Sequence, residues 1–76
     1  MELKKAIIRR VYNLALENHL MLNALANKSG LTPSTLYSLV VNKKSDVKIS
    51  TIKKICDGSN IKLKDFFDDP LFDNLD

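Results

Sequence analysis

The chain has 76 residues, a single cysteine, and a composition that is 45% apolar and 28% charged, which bounds it to one small folded domain and excludes an internal disulfide. No stretch approaches the roughly 18 consecutive apolar residues of a membrane helix, and the opening MELKKAIIRR lacks the apolar core of a secretory signal, so a reducing cytoplasm is expected. The net charge of +3 hides an asymmetry: residues 1–64 hold all 12 Lys and Arg beside four acids (Glu2, Glu17, Asp46, Asp57), whereas residues 65–76 hold five Asp and no base. A basic body points to a polyanionic partner, with the acidic end expected to lie away from it.

In chain order, Ile7, Ile8, Val11, Leu14 and Ala15 form a helical stripe that predicts a first helix over 3–18, with Lys4, Lys5, Arg9 and Arg10 on the rest of its surface. Asn18 and His19 are expected to connect it to the next helix. His19 has no second His and no nearby Cys to share a metal, so it is expected to be a solvated loop residue. A second helix begins near Met21, with Leu22, Leu25, Ala26 and Ser29 on one face, and Gly30 ends it, since glycine adopts the left-handed backbone of a helix C-terminus without strain. Met21 stands at the N-cap but cannot accept a backbone N–H. Leu31 anchors the turn. Thr32-Pro33 opens a third helix, threonine capping and proline taking the first helical position, where its missing N–H costs nothing. Leu36, Leu39 and Val40 face inward there, which leaves Pro33, Ser34, Thr35, Tyr37, Ser38 and Val41 outward.

A loop is expected over 41–49. Ser50 is the expected N-cap of a fourth helix over 51–57, with Ile52 and Ile55 facing in and Cys56 beside them as a small core residue. Asn60 suits a left-handed residue after it. Ile61, Leu63, Phe66 and Phe67 predict a fifth helix over 62–67, broken by Asp68-Asp69-Pro70, and Leu71, Phe72 and Leu75 form a short apolar tail. The expected architecture is all-α with five helices.

Two short helices joined by a tight, glycine-containing turn make a helix-turn-helix. The stretch ANKSGLTPSTLYSL resembles that of the Cro/C1-type (XRE) regulators at Ala26, Gly30, Leu31, Thr32 and Leu36, and the similarity extends over about residues 3–67, leaving 68–76 as a tail on a single domain. The resemblance implies a compact lambda-repressor-like fold whose recognition helix, about 33–41, enters the major groove of double-stranded DNA. It also implies base-reading positions at Pro33, Ser34 and Ser38, with Thr35 and Tyr37 beside them on the outer face. That set has no Arg, Gln or Asn for bidentate base contacts, so hydroxyls, water and DNA shape carry the readout. Tyr37 is suited to the sugar edge or a phosphate. The expected phosphate contacts are Thr32, Asn42, Lys43 and Lys44, the helix start at Ser50 and Thr51, and Lys48, at a position that often carries a basic residue reaching the minor groove; Asp46 in the same loop opposes it.

Several departures from the family pattern carry their own expectations. Ala15 and Val40 occupy the positions of a frequent Arg–Glu pair, and both being apolar predicts a core contact instead. Met21 replaces a Ser or Thr cap, Leu22 replaces a polar residue, and Ser59 replaces an apolar one. Phe67, Leu71, Phe72 and Leu75 exceed what one small core is expected to bury, which predicts a homodimer through the tail, fitted to an inverted repeat. With no Gly-rich phosphate loop, metal-ligand cluster, or Ser/His/Asp or Cys/His set, neither an enzyme nor a cofactor is expected. The function implied is a sequence-specific DNA-binding transcriptional regulator of the repressor type. The alternative is the same fold used as a protein-interaction module, such as an antirepressor or an antitoxin-like partner.

Overall fold

The computed structural model describes residues 1–42 and 46–76. Among them are five α-helices, α1 (Leu3–Glu17), α2 (Leu22–Lys28), α3 (Pro33–Val41), α4 (Ile49–Gly58) and α5 (Leu63–Phe67), followed by a 3₁₀ turn at Pro70–Phe72. One core joins them: Ile7, Val11, Leu14 and Ala15 from α1, Leu25 and Ala26 from α2, Leu36, Leu39 and Val40 from α3, Ile52, Ile55 and Cys56 from α4, and Phe66 from α5. Ala15 and Val40 are both buried in this core. Burial raises the Cys56 thiol above its ordinary pKa, with Asp57 adding to the effect, which keeps it protonated and inert in the core.

Three of the helices end in the same device. After α1, α2 and α4 the chain passes through a left-handed residue, His19 (φ 55), Gly30 (φ 71) and Asn60 (φ 59). The next residue then returns its N–H across the helix end: Leu20 to Ala15 O at 2.8 Å, Leu31 to Ala26 O at 2.9 Å, Ile61 to Cys56 O at 3.0 Å. These bonds satisfy carbonyls that a helix end leaves orphaned, and they fold an apolar residue back onto the helix. Leu20, Leu31 and Ile61 all pack against the core. The two connections of the helix-turn-helix region are thereby fixed by backbone geometry at both ends of α2.

The α2 and α4 helices pack closely at their C-terminal ends. A Cβ on Gly58 would stand 2.9 Å from both Cα and N of Ser29, so only glycine fits at the contact. The hydroxyls of Ser29 and Ser59 are buried beside this contact and have no hydrogen-bond partner among the described residues.

Two expectations are corrected. Ser50 is not the cap of α4. The helix starts two residues earlier, at Ile49, with Lys48 as an N-cap that makes no side-chain bond, because the Lys48 carbonyl takes the N–H of Thr51 at 3.0 Å and of Ile52 at 3.2 Å. Arg10 does not belong to the solvated surface of α1. It is 8% exposed and donates from Nε to Phe66 O at 2.8 Å and from an Nη to Asp65 O at 2.9 Å, with Asp69 at 3.3 Å completing its surroundings. A five-residue helix cannot sustain itself on backbone bonds alone, and Arg10 satisfies two of the C-terminal carbonyls of α5 while holding the tail. The guanidinium also lies 5.9 Å from the centroid of the Phe66 ring.

The tail folds back onto the domain. The rings of Phe66, Phe67 and Phe72 form a cluster with centroids 5.0 to 6.1 Å apart, Asp69 caps the 3₁₀ turn by accepting the Leu71 N–H at 2.9 Å, and Asp76 pairs with the N-terminal ammonium at 3.4 Å.

Candidate nucleic-acid interface

The α3 helix is held as its sequence demands. The Thr32 hydroxyl accepts the Thr35 N–H at 3.1 Å, and Pro33 follows at the first helical position. Leu36, Leu39 and Val40 are buried, so the opposite face is fixed toward solvent. Pro33, Ser34, Thr35, Tyr37 and Ser38 are all exposed on it, with Tyr37 at 64%. The structure thus brings the five expected base-facing residues onto one outer surface.

The hydroxyls of Thr32 and Thr35 lie 2.8 Å apart, so one of them donates to the other. Whichever donates, the other keeps its own proton for an outside acceptor, and the pair offers one outward donor rather than two.

Two shallow grooves flank α3, and Ser38 lines both. One runs between α3 and the start of α4, lined by Thr35, Ser38 and Leu39 on one side and Asp46, Val47, Lys48 and Thr51 on the other. It places Lys48 and Thr51 against two base-facing residues, and Asp46 with them. The other runs between α2 and α3, lined by Asn23, Pro33, Ser34, Tyr37 and Ser38. Asn23 carries no sequence signal of its own, because it stands in the first turn of α2 beside Leu22, and only the crossing of α2 over α3 reveals it.

The remaining expected contacts are distributed as follows. Ser50 is exposed in the first turn of α4, and Asn42 is exposed at the C-cap of α3, where its N–H bonds Ser38 O at 2.9 Å. Lys43 and Lys44 lie outside the described residues. The four residues of the apolar tail divide in two: Phe67 and Phe72 pack against the core of their own chain, Leu71 is half-buried beside them, and Leu75 is 38% exposed. No described helix is long and apolar enough to cross a membrane, and the described residues contain no group of three or more His, Cys, Asp or Glu placed to share a metal ion.

No curated protein and no solved structure matches the chain. The model of the Cro/C1-type helix-turn-helix DNA-binding domain matches residues 10–70, a span that holds α2 to α5 complete, the second half of α1 and both grooves; the chain belongs to that family.

Proposed function

We propose that this protein is a sequence-specific DNA-binding transcriptional regulator of the repressor type, acting as a homodimer on an inverted repeat. The observation that carries the reading is the outward face of α3, where Pro33, Ser34, Thr35, Tyr37 and Ser38 stand free of the core on a helix fixed by its cap and its buried side. Inserted in the major groove, such a face meets base edges, and Lys48, Ser50 and Thr51 reach the neighbouring strand. Thr32, Asn42, Lys43 and Lys44 complete the phosphate set. The hydroxyl-rich surface makes direct readout modest and leaves a large share of affinity to charge and DNA shape. Leu71 and Leu75, the tail residues least occupied by their own core, are the proposed seam of the dimer, and Leu75→Glu is expected to lower the association state in sedimentation.

The test separates positioning from reading. Lys48→Ala, Lys43→Ala and Lys44→Ala should each lower the slope of log K against log salt by about 0.9 and weaken specific and random DNA alike. Ser34→Ala and Ser38→Ala should cost about 1 kcal/mol at the selected site alone, with the salt slope unchanged. Fluorescence anisotropy across several salt concentrations reads both. Absence of binding to mixed fragments even at low salt refutes the reading. It would favour the protein-interaction alternative, for which the exposure of Tyr37 (64%) and Val41 (51%) on the same helix is the supporting observation.

A further inference from the structure

The groove between α2 and α3 holds a second kind of contact. Its floor is Pro33, Ser34 and Ser38, and its two long polar side chains are Asn23 from α2 and Tyr37 from α3. Both are exposed. Among the described residues no Lys or Arg lines it, unlike the groove on the α4 side, which has Lys48. When the second helix of a helix-turn-helix lies in the major groove, the first crosses the sugar–phosphate backbone. A groove bounded by both helices therefore spans two kinds of contact: Ser34 and Ser38 keep the base edges, whereas its α2 margin, with Asn23 and the outward Tyr37, meets the edge of a strand, where the acceptors are phosphate oxygens. A carboxamide N–H₂ and a phenolic O–H are donors of the kind that contact phosphate while carrying no charge.

We propose that Asn23 and Tyr37 form a neutral clamp on one backbone phosphate at the margin of the half-site, with the Asn23 amide and the Tyr37 hydroxyl donating to its oxygens. The assignment rests on the DNA-binding reading above. It gives the two flanks of α3 different physics. The α4 flank acts through charge and releases counterions, whereas the α2 flank fixes register by hydrogen bonds and is nearly indifferent to salt. Asn23 thus supplies the amide that the outer face of α3 lacks, and uses it to position the helix rather than to read sequence.

The experiment measures Asn23→Ala, Tyr37→Phe, their double variant and Asn23→Asp by anisotropy on a duplex selected from a randomised pool by the wild-type protein, and on a random duplex. Each single variant is expected to lose about tenfold on both duplexes, the loss of one hydrogen bond to a charged acceptor, with the ratio of specific to random affinity and the salt slope unchanged. The double variant should lose less than the product of the singles, because one phosphate is shared. Asn23→Asp, which suits the first turn of a helix and so keeps the fold, should lose more than Asn23→Ala by repelling the phosphate. Ethylation of one backbone phosphate should weaken the wild type to about the level of the double variant and leave the double variant indifferent. Unchanged affinities in the single variants overturn the clamp and leave the DNA-binding reading standing. A changed specificity ratio for Asn23→Ala makes Asn23 a base reader and also overturns it. A wild-type chain that binds neither duplex overturns both.

Discussion

Replacing Arg10 by Met tests whether the C-terminal third of the domain hangs on one side chain. The substitution keeps an unbranched chain of similar reach and removes the guanidinium. It leaves the Phe66 carbonyl without the donor now at 2.8 Å, the Asp65 carbonyl with the Asp68 N–H at 3.3 Å but without the guanidinium bond at 2.9 Å, and the Asp69 carboxylate without its partner at 3.3 Å. Breaking one side of a buried charged pair costs about 3–5 kcal/mol. Asp69 keeps 22% of its side-chain surface and can turn to water, and the second acid near Arg10, Glu17, is 4.0 Å away and 62% exposed. The lower end of the range, about 3 kcal/mol, is therefore expected, most of it from the two carbonyls. In a domain this small each kcal/mol shifts Tm by about 4–8 °C, so melting should fall by more than ~10 °C. Asp69→Asn removes the ion pair but keeps both carbonyl bonds and should cost about 1 kcal/mol. Urea unfolding followed by circular dichroism gives both numbers. If Arg10→Met costs no more than Asp69→Asn, the carbonyl bonds contribute nothing, and the account of how a five-residue helix persists is wrong.

Three further substitutions test local claims by the same urea midpoint. Met21→Thr should stabilise by roughly 0.5–2 kcal/mol, the range for gaining an N-cap, because Met21 is 82% exposed and has little packing to lose; a lower midpoint would refute the capping argument. Ser59→Ala should stabilise by about 1 kcal/mol, since it deletes a buried hydroxyl that has no partner among the described residues, and destabilisation would show that the hydroxyl is satisfied. His19→Gly should stabilise by a few tenths of a kcal/mol up to ~1: relief of a left-handed non-glycine backbone at φ 55 outweighs the added freedom of the unfolded chain, and an unchanged or lower midpoint would mean that His19 carries no strain there.

What the sequence disclosed follows from the range of the forces involved. Gly30 and Asn60 announce left-handed backbone by residue type, and Thr32-Pro33 announces a helix start, because the relevant interactions span only a few residues. His19 performs the same role as Gly30 without the same chemistry; only the apolar residue that follows each of the three, Leu20, Leu31 and Ile61, marks the shared device. Arg10 was obscured by its charge. Its place three residues after Ile7 and four before Leu14 puts it on the buried stripe, and the run of acids near the C-terminus was the available hint of a partner. Ser50 had the better cap chemistry and lost to Lys48, because a cap bond is worth little against two further helical residues and a Lys48 carbonyl that takes the N–H of both Thr51 and Ile52. Gly58 carried no signal as a contact, because its reason lies across the fold in the backbone of Ser29. The interface divides along the same line. The exposed face of α3 follows from helical period alone, since burying Leu36, Leu39 and Val40 leaves the other side no choice. Which residues join that face from α2 and α4 depends on how the helices cross, and there the tertiary structure adds Asn23 and joins Lys48 and Thr51 to Thr35 and Ser38.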